Sequence, residues 1–270
     1  MAGGERRGPQ AGNGRTLASP AEPAAYARPA APSSDRTAAP VNGNDRGASA
    51  LPEQVDRATV RRPAMSSRIA AIKHGLNGTA QTFAETYLRR SADVLRMIPA
   101  ADLAEVIAVL TAARADRRQV FICGNGGSAA TASHFAAGLG KEGSRTHLHR
   151  FRALALTDNV AWLTSLANDT DYTQVFVEQL KNHAEPDDVL IVFSGSGNSR
   201  NVLNAVEWAN ARGLVTVGIT GHPGGALAAL VRHCVAVGSE HMGHVEEGHF
   251  LIQHLITYYF MEAHADAGQS

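Results

Sequence analysis

The sequence predicts an α/β fold: a central parallel sheet with helices on both faces, preceded by an N-terminal helical extension. Three observations carry this. Short apolar runs alternate with helix-period segments from about residue 120 to the end, and short connections between alternating strands and helices favour parallel pairing. Two Gly/Ser loops, Gly124-Asn125-Gly126-Gly127-Ser128 and Ser194-Gly195-Ser196-Gly197-Asn198-Ser199, each join a strand-like run to a helix-like one. The 270-residue chain is 44% hydrophobic, enough for one good core but not obviously for two.

Residues 1–64 are rich in Ala, Pro, Gly, Arg and Ser, with almost no large aliphatic or aromatic side chains. Such a segment cannot offset its ordering entropy by burial, and it reads as a disordered tail. It lacks the apolar stretch of a signal peptide, and its scattered acids argue against a transit peptide. Met65 stands where the composition changes; residues 1–64 are read as a dispensable tail, one form of which is an upstream extension of a reading frame starting at Met65. From Met65 to about Ala115, Ile69, Ile72, Leu76, Phe83, Tyr87 and Leu88, then Leu95, Ile98, Leu103, Val106, Ile107 and Leu110, recur at helical steps. Two or three helices are expected there.

The alternation follows: strand 120–123, helix 128–139, strand 151–156, helices 159–183, strand 189–193, helix 199–212, strand 215–219, helix 225–232, strand 234–237 and a long helix 245–264. Ligands of such sheets bind beyond the carboxyl ends of the strands, where both Gly/Ser loops fall. Glycine permits close backbone approach, and the helix start behind each loop offers unpaired N–H groups to an anion. The two loops read as halves of one phosphate site, with Ser128, Ser194, Ser196 and Ser199 adding hydroxyls. Gly124-x-Gly126-x-x-Ala129 also fits a dinucleotide fingerprint, but the required acid is missing at the end of the next strand and Asp158 comes too late. A nicotinamide enzyme ranks below a phosphate-ester binder.

Net charge is zero and no basic block occurs, which leaves nucleic acid unsupported as a partner. No apolar run reaches membrane-spanning length, so no membrane is expected. Cys123 and Cys234 lie in strand-like runs and read as free thiols of a reducing cytoplasm.

The runs Cys123–Ala130, His134-Phe135-Ala136, Leu156–Asn159, Leu166–Asp169, Asp188–Ile191, Asn201–Leu203, Thr220-Gly221, Gly224-Gly225 and Glu246–His254 together resemble the sugar isomerase (SIS) domain of the phosphoheptose isomerase family, over about residues 65–265. The resemblance implies a flavodoxin-like subunit of a homotetramer. It implies an aldose–ketose isomerase acting on a phosphorylated sugar, sedoheptulose 7-phosphate to glycero-manno-heptose 7-phosphate, through an enediol. It places Asn125, Gly126, Gly127, Ser128, Asn168, Asp169, Ser194, Gly195, Ser196 and Ser199 around the substrate. It also brings zinc as a candidate cofactor, with a glutamate of a His-Phe-Ala-x-Glu-Leu pattern as ligand and base. Here that glutamate is Gly138, which neither ligates nor moves a proton.

The family's last-helix glutamine is Glu246, and the histidine eight residues on is His254. The candidate catalytic set is therefore His254, Glu246 and Asp169, and the candidate metal set His134, Glu246 and His254. On a regular helix, positions 246 and 254 are about 80° apart and 247 and 254 about 20° apart, so Glu247 competes with Glu246. His241, His244 and His264 read as structural or solvated, and His249 is balanced between the two roles. Asp158-Asn159 reads as a helix cap. Lys141–Arg152 reads as a solvated connection or a source of cations for a neighbour's phosphate. Gly138 leaves open a non-catalytic SIS-domain interaction protein of the replication-initiator-associating type, and an isomerase of another sugar phosphate remains a further alternative.

Overall fold

Five apolar runs pair in parallel in the order β2-β1-β3-β4-β5: β1 is Gln119–Gly124, β2 Arg152–Ala155, β3 Val189–Ser194, β4 Val215–Gly221 and β5 His233–Val237. The computed structural model describes residues 65–67, 69, 72, 78–145 and 149–262. The tail assigned to residues 1–64 and the last positions of the final helix, 263–264, lie outside them. Helical backbone occurs at 65–67, 69 and 72. The helices are α1 Thr79–Arg96, α2 Ala100–Ala115, α3 Gly127–Gly140, α4 Val160–Asp169, α5 Val177–His183, α6 Arg200–Ala211, α7 Gly225–Leu230 and α8 Met242–Glu262.

Register follows the hydrophobic pattern. Val120 lies opposite both Ala153 and Val189, and Val189 opposite Val215. Successive side chains of a strand point to opposite faces. Val120, Ile122, Ile191, Phe193, Val217 and Ile219 accordingly pack with Leu110 of α2, Phe135 and Leu139 of α3, and Ile252 and Ile256 of α8. Phe121, Cys123, Leu190 and Val192 pack on the other face with Leu180 of α5, Val202 and Val206 of α6 and Leu227 of α7. β3 is buried at all six positions, which is why it reads as a continuous apolar run with no alternation. Each fully buried Leu, Ile or Phe contributes about 1.5–3 kcal/mol.

The long helical stretch expected over 159–183 divides into α4, a 3₁₀ turn at Tyr172–Gln174 and α5. Asn159 caps α4 by accepting from Trp162 N–H (3.0 Å), while Asp158 accepts from Ser133 Oγ instead. Asp171 accepts from Thr173 N–H and starts the 3₁₀ turn. The order 2-1-3-4-5 reverses direction between β1 and β3, and ligands of such sheets bind in the crevice outside that switch point. Both Gly/Ser loops leave those two strands. No helix among the described residues is long and apolar enough to cross a membrane.

Candidate active site

The first loop turns from β1 into α3 through Gly126, at φ 55°. Ser128 is buried in the first turn of α3. The Asn125 side chain is clamped: its Nδ2 donates to Asn201 Oδ1 (2.9 Å), and its Oδ1 accepts from Asn201 Nδ2 (2.8 Å) and from Tyr172 Oη (2.9 Å). Asn125 therefore ties the first loop to the start of α6 and to the 3₁₀ turn.

The second loop is built against a third. Gly197 has φ 63°, and a Cβ there would strike the Gly224 carbonyl oxygen. Gly221 N–H donates to Gly195 O (3.1 Å), Leu227 N–H to Gly197 O (3.0 Å) and Ala226 N–H to Asn198 Oδ1 (3.0 Å). Ser194 is buried and Ser196 exposed, and Ser196 Oγ accepts from Asn198 N–H. Ser199 precedes α6 without spending its hydroxyl on capping it. Two helix starts and their serines thus meet at the switch point, an arrangement suited to a phosphate dianion.

Beside the loops, α8 runs along α3. A Cβ built on Gly127 would lie 2.7 Å from Glu246 Oε1, so the Glu246 carboxylate rests on the first turn of α3. A cleft of about 480 Å³ opens there, lined by Gly127, Thr131, His134, Glu246, Glu247 and Phe250 among others. Glu247 is engaged elsewhere. Burial pushes its carboxyl up, but hydrogen bonds from Tyr87, Ser91 and His244 outweigh this and leave it below its ordinary value. The same contact with Glu247 raises the Tyr87 phenol. Periodicity favoured Glu247 on angle alone; the side chains place Glu246 at the loop and tie Glu247 to α1.

His134 and His254 meet with Nε2 atoms 3.1 Å apart, and Phe250 lies edge-on to both rings. Asn168 and Asp169 end α4, exposed, with Asn168 Nδ2 donating to Asp169 Oδ1 (2.9 Å). Tyr172, three residues on, links this end of α4 to Asn125. His244 is buried and bonded to Ser91 Oγ (3.0 Å), in keeping with its structural reading. His249 is fully buried, and burial lowers its pKa to about 4, offset only in part by the Thr220 backbone. It stays neutral at physiological pH.

The candidate metal set is only partly brought together. Two imidazole nitrogens 3.1 Å apart would suit two ligands of one ion, but the third is missing. Glu246 is seated on Gly127, at the first-loop end of the cleft that His134 also lines. One turn after His134 stands Gly138, where a Cβ would lie 2.9 Å from Thr257 Oγ1, in space the threonine already occupies. Among the described residues no three His, Cys, Asp or Glu side chains converge to hold a metal. As they stand, the side chains of His134, Glu246 and His254 do not meet at one point, whereas a zinc site needs ligand atoms at about 2.0–2.2 Å from a single ion.

Sequence reasoning missed Tyr172 as a brace, and it met Asn201 only as part of a motif. Their signal is weak: an ordinary Asn in a helix start and a Tyr after Asp171, joined only by the fold.

The SIS domain family matches residues 72–221, more than half of the chain. A phosphoheptose isomerase of Rhodospirillum rubrum is 39% identical over 155 residues, covering 57% of this chain and 81% of that protein. One of Mycobacterium tuberculosis is 43% identical over 143 residues, covering 52% and 70%. Among solved structures, the phosphoheptose isomerase of Neisseria gonorrhoeae superposes with a TM-score of 0.63 at 28% identity, covering 67% of this chain and 98% of that one.

Proposed function

The chain belongs to the SIS-domain family of phosphoheptose isomerases, and from that premise we propose that it is an aldose–ketose isomerase interconverting sedoheptulose 7-phosphate and glycero-manno-heptose 7-phosphate through an enediol. The observation that carries the reading is the pairing of two phosphate-type loops at the β1/β3 switch point with a carboxylate, Glu246, resting on the first turn of the helix behind one of them.

The chemistry needs few groups. The loops at Gly126–Ser128 and Ser194–Ser199 hold the phosphate, and so anchor the sugar against α3 and α8. Glu246 takes the proton from the carbon beside the carbonyl, giving an enediol, and returns it to the neighbouring carbon. The carbonyl moves by one carbon with no net gain or loss of electrons. The His134–His254 pair, one nitrogen of which donates to the other, serves the oxygens, whose protons must move in the opposite sense. Asn168 and Asp169 are assigned to the substrate's hydroxyls. No step is routed through zinc, because the side chains present do not fit it.

Residues 65–265 are read as the SIS domain, and self-association into a tetramer fits the apolar surface of α8 and α1. Phe250, Leu251, Leu255 and Tyr259, with Phe83 and Leu88, are exposed in the single chain, and such a surface marks an interaction site. Cys123 and Cys234, unbonded, suit a reducing cytoplasm. No observation favours the non-catalytic alternative. Incubating the full chain with sedoheptulose 7-phosphate and following aldose formation by NMR tests the reading. Conversion is expected; binding without conversion would remove it.

A further inference from the structure

Past the His134–His254 contact, the groove between α3 and α8 continues into a second cleft of about 420 Å³. Its lining includes His134, Gly138, Lys141, Gln253, His254 and Thr257. Gly138 lines it and packs closely on Thr257, which a side chain at 138 would run into. Gln253 is 0% exposed and Thr257 2%, yet neither Gln253 Oε1, Gln253 Nε2 nor Thr257 Oγ1 has a hydrogen-bond partner. Buried polar atoms are nearly always paired, and an unpaired set beside a cavity calls for a partner from outside the chain.

The chemistry of that partner follows from the lining. A carboxamide and a hydroxyl one helical turn apart offer donors and acceptors without charge, the complement of a carbonyl and a hydroxyl on neighbouring carbons. At the rim, Lys141 Nζ is paired with Glu142 Oε1 at 3.0 Å, a largely exposed ion pair outside the buried part of the lining. The cleft begins at His134, which also lines the Glu246 cleft beside the first loop. A sugar anchored by its phosphate at the loops, with its carbonyl at the histidine pair, would therefore turn its reacting end here.

We propose that this cleft is a hydroxyl-binding subsite for the carbonyl end of the sugar, and that Gln253 and Thr257 are specificity-determining residues. The proposal rests on the sugar-phosphate reading above and names the part of the substrate that this chain recognises with its own residues.

The test uses the full chain and its Gln253→Leu and Thr257→Val variants, each titrated calorimetrically with sedoheptulose 7-phosphate and, separately, with inorganic phosphate. Each variant is expected to bind the sugar phosphate about tenfold more weakly, the loss of one hydrogen bond. Phosphate affinity should not change. Melting temperature should hold or rise, because an unpaired buried polar group is gone. Equal sugar-phosphate affinity in variant and parent would overturn the proposal. So would equal loss of both ligands, or a lower melting temperature with an altered oligomeric mass in light scattering, which would mean that another copy of the chain fills the cleft. If the parent binds sedoheptulose 7-phosphate without converting it, the isomerase reading fails while the affinity ratio still decides the subsite. If the parent binds no five-, six- or seven-carbon sugar phosphate more tightly than inorganic phosphate, the subsite is refuted.

Discussion

The phosphate loops and the α3–α8 groove lie side by side and are built by opposite rules. In the loops the chain is over-determined: Asn125 is held by two hydrogen bonds with Asn201 and one from Tyr172, and Gly197 is locked against Gly224. In the groove Gln253 and Thr257, one turn apart on α8, are buried with side-chain polar atoms unpaired. A rigid, self-satisfied pair of loops can be kept while the neighbouring groove is rearranged. That is how a chain with Gly138 in place of a glutamate keeps recognisable loops.

If that contrast is right, the loops should tolerate least. Gly197→Ala places a methyl against the Gly224 carbonyl at positive φ. It is expected to destabilise by about 2–4 kcal/mol and to abolish sugar-phosphate binding, as read by denaturant unfolding and calorimetry. Wild-type binding would show the loop to be less constrained than described.

Acid probes the buried face of α8 next. His249 has its folded pKa lowered from 6.5 to about 4 by burial, so below pH 6.5 the unfolded chain takes up a proton that the folded chain refuses. Its contribution is complete above pH 6.5 and lost as pH falls towards 4, on the order of 3 kcal/mol. Urea unfolding across that range should show the fall, and His249→Leu should flatten it.

Gly138→Ala should cost about 1–3 kcal/mol, since its Cβ would meet Thr257 Oγ1 at 2.9 Å. Pairing it with Thr257→Ala should restore most of the loss, a coupling readable in a double-mutant cycle. The smallest expected effect is that of a chelator. Dialysis against EDTA should leave turnover unchanged, and loss restored by zinc would show that a ligand from outside the described residues completes a metal site.

Much of this was legible in the sequence. The strands appear within two residues of their expected limits at each end, because buried parallel strands are continuous apolar runs bounded by glycine or polar residues. The loops were legible because positive φ and close packing demand glycine at fixed offsets. What was not legible depends on reach across elements. Helical angle favoured Glu247, yet hydrogen bonds from α1 and His244 hold that carboxylate, and only tertiary packing reveals it. Gly138 read as a missing ligand; that Thr257 fills its space depends on the α3–α8 distance, which no periodicity encodes. Asn201 and Tyr172 lie 76 and 47 residues from Asn125, the residue they brace.

In the proposed mechanism the working carboxylate comes from α8. Proton exchange into sedoheptulose 7-phosphate in deuterated water, compared between wild type and Glu246→Gln, tests it most directly. Glu246→Gln is expected to slow exchange by about 10²–10⁴-fold with sugar-phosphate affinity kept. Exchange at the wild-type rate in that variant would mean that another group moves the carbon-bound proton.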